Sequence, residues 1–260
     1  VSAANKISEA SAEPFSDRRE PIKVSTANKY AVIVAGGIGT RMGSDMPKQF
    51  LLLAGKPLLM HAISAFHQAG PDIRIVVVLP IEWIEKWRGL CQEYRFTETH
   101  SLIGGGETRF HSVRNGLNAL EGPGLVAVHD GARPLIRPET ILRLFDEAGL
   151  HSSAIPVVSP SDSLRWQDES GNRVIDRNFV KVIQTPQVFD LHKLKAAYVH
   201  EYENSFTDDA TVWEKSGHAV HLTEGQTDNI KVTTADDLIF AEGILRRKGG
   251  FRDSRTNSEF

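Results

Sequence analysis

Tyr30-Ala-Val-Ile-Val-Ala35-Gly-Gly-Ile-Gly-Thr-Arg-Met-Gly43 decides how this chain is read. An apolar run from Tyr30 to Ala35 gives way abruptly to glycine. An unbroken run of that length fits a strand covered on both faces. A glycine-rich turn directly after it lets backbone N–H groups approach an anion. The same rhythm repeats downstream. Residues 57–69 carry apolar side chains at helical spacing, 73–79 read as a second strand and 81–91 as a helix. A short strand ends at Ile103, before Gly104-Gly105-Gly106 and a helix through Leu120. Residues 125–128 read as a strand, 138–150 as a helix with Pro138 in its first turn, and 154–158 as another strand. Strands and helices alternating at this interval predict an α/β fold, a mainly parallel, doubly wound sheet with helices on both faces.

Residues 159–185 break the alternation. Segments 162–167 (DSLRWQ) and 173–177 (RVIDR) flank 168–172, which is rich in turn formers, so a β-hairpin arm is expected. A lone two-stranded ribbon is marginally stable in water, so a second subunit is expected to pack on it. Beyond the arm the pattern predicts helices over 191–203 and 208–216, the latter capped by Thr207. A strand near 219–222 and a helix over 235–247 with Thr234 as N-cap follow. Residues 1–29 are polar, hold scattered Pro and lack periodicity, so they read as a flexible leader; 30–248 form the domain and 249–260 a polar tail. The leader has no apolar signal core. Glu9, Glu13, Asp17 and Glu20 argue against an organelle transit remnant, the reading under which the protein would sit in the plastid stroma rather than the cytoplasm.

Composition narrows the function classes. Thirty Lys+Arg against 33 Asp+Glu give a net charge of −3, so neither nucleic acid nor a membrane surface is an expected partner. Cys91 is the single cysteine, which excludes an intrachain disulfide or Cys-rich zinc framework and fits a reducing compartment. No apolar run approaches the roughly 20 residues that span a bilayer. The ten histidines show no H-E-x-x-H or other metal spacing and are expected to be structural or solvated.

Two familiar phosphate motifs fail at the glycine-rich loop. Dinucleotide binding needs G-x-G-x-x-G, but Met42 stands where the third glycine belongs. A Walker A loop needs a Lys that Gly37-Ile-Gly-Thr-Arg-Met-Gly-Ser44 lacks. What remains is a turn holding Arg41, followed by Pro47-Lys-Gln-Phe50. Two cations at the carboxyl edge of a parallel sheet suit a triphosphate of charge about −4. The competing view is a tight turn with two solvated cations.

Gly36-Gly-Ile-Gly-Thr-Arg-Met-Gly43 with Pro47-Lys-Gln-Phe50 resembles the signature of Rossmann-like, GT-A-like nucleotidyltransferases. Further blocks are Gly105-Gly-Glu-Thr-Arg-Phe-His-Ser-Val113, Val128-His-Asp-Gly-Ala-Arg-Pro134, Asp176-Arg-Asn178, Gln184-Thr-Pro-Gln187 and Asp228-Asn-Ile-Lys-Val232. Singly each is unspecific; in this order they resemble the 2-C-methyl-D-erythritol 4-phosphate cytidylyltransferase family. The resemblance implies CTP and methylerythritol phosphate as substrates, Mg²⁺ as cofactor and a homodimer whose arms exchange. It implies Arg41 and Lys48 as transition-state stabilisers, and Arg177 with Lys231 as holders of the methylerythritol phosphate. It assigns nucleotide binding to the loop glycines Gly37 and Gly39, to the Ala35 and Gly36 backbone, and to Gly106, Glu107 and Ser112. Arg109, Asp130 and Thr185 are further candidates near the substrates, Asp130 also as a metal ligand with Mg²⁺ held mainly by CTP phosphates.

Each position also has a bland alternative. Arg109 at a helix start could be a surface cation, Ser112 a capping hydroxyl, Asp130 a turn cap and Lys231 the outer side of an edge strand. Trp83 and Trp87 are expected to be packing residues. Three departures from the family pattern stand out: Ala35-Gly36 replaces the usual pair of alanines, Ser163 replaces a threonine in the arm, and the arm carries the extra turn 168–172. Competing functions are ribitol-5-phosphate cytidylyltransferase and a non-catalytic nucleotide-binding regulator on the same fold.

Overall fold

The computed structural model describes residues 27–36 and 47–247. Gly37, Gly39 and Arg41, the tail over 249–260 and all of the expected leader except its last three residues lie outside the described residues. Asn28 and Lys29 are not leader; they begin strand β1 (Asn28–Val34).

The central sheet is wound in two directions from β1. On one side come β4 (Arg74–Leu79) and β5 (Ser101–Gly104), both parallel. On the other lies β6 (Gly124–Asp130), parallel to β1 over its whole length. Beyond β6 sits β11 (Gln187–Asp190), antiparallel, and then β7 (Ser153–Val158). β10 (Val182–Ile183) pairs antiparallel with the far end of β7, and β12 (Leu222–Glu224) pairs parallel with it. The short ribbon β2 (Leu52–Leu53) and β3 (Lys56–Pro57) leads into α1 (Leu58–Ala69). The fold is α/β with a mainly parallel sheet, as the alternation predicts.

The unbroken apolar run of β1 has a direct physical cause. Ala31, Ile33 and Ala35 face one apolar layer, with Phe66 of α1, Trp87 of α2 (Ile84–Glu93) and Phe145 of α4 (Pro138–His151). Tyr30, Val32 and Val34 face the opposite layer, with Val113 of α3 (Arg109–Asn118), Leu194 of α5 (Leu191–Ala197) and Trp213 of α6 (Asp209–Lys215). With no wet face, no polar residue is admitted. Each large side chain so buried contributes about 1.5–3 kcal/mol. Gly116 lets α3 lie flat on the sheet: a Cβ there would stand 2.5 Å from Val32 Cγ1. A third, smaller cluster packs Ala241 of α7 (Ala235–Arg247) and Val232, in the loop before it, against Leu53 and Leu58.

The expected arm is a hairpin, β8 (Leu164–Asp168) with β9 (Gly171–Ile175), in register from Leu164–Ile175 to Asp168–Gly171. Its strands are shifted toward the tip, starting at Leu164 and ending at Ile175, and its loop is tighter than expected: only Glu169 and Ser170 lie between them, with Asp168 Oδ1 accepting the Ser170 N–H. Trp166 and Val174 are exposed on it.

Elsewhere the expectations need correction. The helix expected over 191–203 ends at Ala197. Tyr198 stacks on Phe110 at 4.7 Å and bonds Asp209, while the chain tightens into i→i+3 bonds at Val199 and His200. The next helix is capped by Asp208, not Thr207, in a reciprocal box with Thr211. The strand expected near 219–222 begins at Leu222, because the Ala219 carbonyl already accepts from Trp213 Nε1 and Ser153 Oγ. Thr234 does cap α7: its Oγ1 accepts the Asp237 N–H, and Asp237 accepts back from the Thr234 N–H.

Candidate active site

β1 is where the sheet reverses its winding, and ligands of open α/β sheets bind in the crevice beyond the carboxyl ends of strands at such a point. A cavity of about 210 Å³ opens there, between the ends of β1 and β6 and the turn after β5. Among its lining residues are Lys48, Arg109 and Lys231, facing Asp130 and Glu107.

The walls are fixed by backbone bonds. The Ala35 N–H donates to Val78 O at 2.9 Å, and the Ala35 carbonyl accepts from buried Gln49 Nε2 at 2.7 Å. Gln49 thereby pins the 3₁₀ turn Lys48–Phe50 to the end of β1, and Phe50 anchors it by stacking on Trp87 at 6.0 Å. Lys48 is thus held at the mouth of the cavity, and Trp87 is a packing residue as expected. On the opposite wall Thr108 caps α3, and Ser112, one turn in, accepts the Gly106 N–H at 3.1 Å. Ser112 is therefore not the helix cap. Gly106 has no room for a side chain, since a Cβ would stand 2.4 Å from His111 Cβ. Glu107 is exposed at the rim.

Asp130 is the electrostatic centre. Its Oδ1 accepts from Arg109 Nε at 3.1 Å and its Oδ2 from Lys231 Nζ at 2.7 Å. Burial alone would raise its pKa, but Arg109 and Lys231 outweigh that and hold it well below the usual carboxylate range. Arg109 is doubly committed: Nη1 and Nη2 also donate to Asp209 at 2.9 and 2.8 Å. Burial of Arg109 favours its neutral form, yet the two aspartates override this and raise its pKa. Each Asp130 oxygen keeps a lone pair. One such carboxylate is what Mg²⁺ asks of a protein when substrate phosphates supply its other ligands, so the site fits that ion.

Thr185 stands behind Asp130 rather than in the cavity wall. Its Oγ1 accepts the Asp130 N–H at 3.0 Å and lies 3.1 Å from His129 Nδ1. With His129 Nε2 3.1 Å from the Arg133 carbonyl, the network assigns a neutral ring protonated at Nε2. Burial pushes the His129 pKa down to about 4. Lys231 lies in a loop and not on an edge strand. Val232 beside it is buried and its N–H donates to Ala132 O at 2.8 Å, while Arg133 Nη1 reaches Asn229 O at 2.8 Å.

Arg177 is not brought to this cavity by its own chain. It is exposed in the turn Arg177–Phe179 after the arm, donating to the Ser161 carbonyl. Sequence reasoning missed Gln49, Asp209, Arg133 and Asn229. Gln49, Arg133 and Asn229 lie inside the resemblance motifs; Asp209 looked like an ordinary acid at a helix start.

A cation-lined crevice at the switch point of a doubly wound sheet is the form of a nucleotide-binding site. The chain resembles the crystal structure of 4-diphosphocytidyl-2C-methyl-D-erythritol synthase from Anaerococcus prevotii, with a TM-score of 0.72 and 26% identity over 85% of this chain and 99% of that one. The Thermus thermophilus 2-C-methyl-D-erythritol 4-phosphate cytidylyltransferase gives 0.65 and 29%, over 84% and 99%. In sequence it is 49% identical to the enzyme of that name from Bacteroides fragilis over 217 residues, 84% of this chain and 99% of that one. A sequence profile of the 2-C-methyl-D-erythritol 4-phosphate cytidylyltransferase family matches residues 30–247, and the chain belongs to that family.

Proposed function

We infer that this enzyme transfers the cytidylyl group of CTP to 2-C-methyl-D-erythritol 4-phosphate, releasing pyrophosphate and 4-diphosphocytidyl-2-C-methyl-D-erythritol for non-mevalonate isoprenoid synthesis. The observation that carries this reading is the set of Lys48, Lys231 and Asp130 around one crevice in a chain of this family. The phosphate of the polyol is a dianion near pH 7 and already nucleophilic, so attack on the α-phosphorus of CTP requires no general base. Catalysis then rests on alignment and on charge placed where charge develops. Lys48, with Arg41 from the glycine-rich loop, meets the extra negative charge on the five-coordinate phosphorus. The rim at Gly36, Gly106, Glu107 and Ser112 reads the cytosine edge. Gly37 and Gly39 offer N–H groups to the triphosphate. Asp130 orients Lys231 toward the polyol phosphate and is the residue that would hold Mg²⁺. When bound with CTP, Mg²⁺ neutralises charge across the triphosphate.

The arm completes the site in a homodimer. Support comes from its exposed Trp166, Val174 and Phe179, and from Arg177 lying away from its own chain's crevice. The bacterial relatives and the single cysteine favour the cytoplasm; among the described residues no helix is long and apolar enough to cross a membrane.

Pyrophosphate release from CTP, measured with methylerythritol phosphate, with ribitol 5-phosphate and with no acceptor, tests the reading. Turnover is expected with the first alone. Turnover with ribitol phosphate instead would overturn the substrate, and CTP binding without any turnover would leave the regulator.

A further inference from the structure

Three potential metal ligands meet far from the crevice. Glu147 and His151 lie one turn apart in the last turns of α4, and His221 immediately precedes β12. Glu147 Oε2 is 3.2 Å from His221 Nε2 and 3.7 Å from His151 Nε2, and all three donor atoms lie within 4.8 Å of one another. Zn–N and Zn–O bonds of about 2.0–2.1 Å in a tetrahedron place neighbouring ligands roughly 3.3 Å apart, so the carboxylate–imidazole spacings already match. The two imidazole rings stack face to face at 3.7 Å.

His221 is anchored on both sides of its backbone. Its N–H donates to Ser153 Oγ at 3.1 Å, and its carbonyl accepts from Ile155 N at 2.9 Å. α4 stops immediately after His151, at the left-handed Ser152. His151 itself is exposed, so its ring can turn from the stack toward an ion. The cluster sits at the amino edge of the sheet: Ser153 is level, through Phe189, with Val126 near the start of β6, whereas Asp130 ends that strand.

We propose that Glu147, His151 and His221 form a binding site for one borderline-soft divalent cation of the Zn²⁺ type, clipping the end of α4 to the β7–β12 edge. Two imidazoles with one carboxylate select such ions over Mg²⁺, which prefers an oxygen shell. Three protein ligands leave one position for water, and the distance from the crevice assigns the ion no part in nucleotidyl transfer.

Zn²⁺ titration of the metal-free protein by calorimetry, and Co²⁺ titration followed by visible absorption, test this with Mg²⁺ in excess. One equivalent is expected to bind, with a low-coordinate Co²⁺ spectrum and a raised Tm. His151→Ala, an exposed change that leaves the fold intact, and His221→Ala should each weaken binding at least tenfold, a floor set by the 10–100-fold cost of losing even an outer partner of a ligand. No stoichiometric binding, or affinity within tenfold of the parent in both variants, would overturn the proposal. Neither result bears on the assigned transferase activity, which is measured separately.

Discussion

Arg109 and Asp209, one hundred positions apart in the chain, are joined by two parallel N–H···O bonds of 2.9 and 2.8 Å. Asp209 is fully buried and also accepts the Tyr198 hydroxyl at 2.6 Å. The pair ties the start of α3 to the start of α6 and aims the remaining Arg109 Nε–H at Asp130. Removing one side of a buried ion pair typically costs 3–5 kcal/mol. Asp209→Ala is therefore expected to lower unfolding stability by about 3 kcal/mol, read from urea midpoints. A loss under about 1 kcal/mol would mean the pair is structurally idle.

Lys48 stands at the crevice mouth, and Arg41 precedes it in sequence. Removal of one transition-state charge donor costs roughly 10²–10³ in kcat. Lys48→Ala and Arg41→Ala should each fall in that range with modest KM changes. Steady-state kinetics decide, and a tenfold loss or less is too small for the role.

Arg177 is expected to serve the partner's crevice, so Arg177→Ala should raise KM for the erythritol phosphate more than for CTP. Mixing Lys48→Ala and Arg177→Ala chains, at an erythritol phosphate concentration well below the raised KM, and letting them exchange should restore about a quarter of the intact sites in a two-fold dimer. No recovery after exchange would place Arg177 in service of its own chain.

His129 gives a pH signature. An unfolded histidine titrates near 6.5, whereas burial holds His129 down to about 4. Between these values the unfolded chain carries a proton that the native ring does not. Stability is therefore complete above pH 6.5 and declines as pH falls toward 4, by up to about 3 kcal/mol from this residue. Asp130, whose pKa is depressed, loses its contribution only below roughly pH 4, so the two windows separate. His129→Gln should flatten the slope between pH 6.5 and 4.5 by about one proton. An unchanged slope would assign the effect to the partly buried histidines whose pKa values are also lowered, His61, His100 and His218.

Much of the fold was legible because its signals are local. The apolar run of β1 needs only its own alternation between two layers, and the arm announces itself by turn formers between short strands. β11 was not legible: four residues inside Gln184–Leu191 carry no period, and only pairing with both β6 and β7 makes them a strand. The site divides the same way. Asp130, Lys48, Lys231, Ser112 and Gly106 sit in recognisable blocks and meet at one cavity. Asp209 acts by reaching across the fold, and no spacing within a window reveals it; Gln49 sits beside Lys48 in its block, but its bond to the Ala35 carbonyl is visible only in the fold. Thr185 was expected near the substrate; its hydroxyl instead supports the Asp130 backbone from behind.

The antiparallel insertion of β11 between β6 and β7 has a consequence for biogenesis. As the chain leaves the ribosome, β6 and β7 are complete by Val158, yet they cannot knit together until Asp190 has emerged. For that interval β6 presents an unpaired flank of backbone donors and acceptors, the kind of template on which nascent chains stick to each other. Closure by a late, distant segment makes the C-terminal third the keystone of the N-terminal half, and truncations before Gln187 should accumulate as aggregates rather than as a smaller working enzyme.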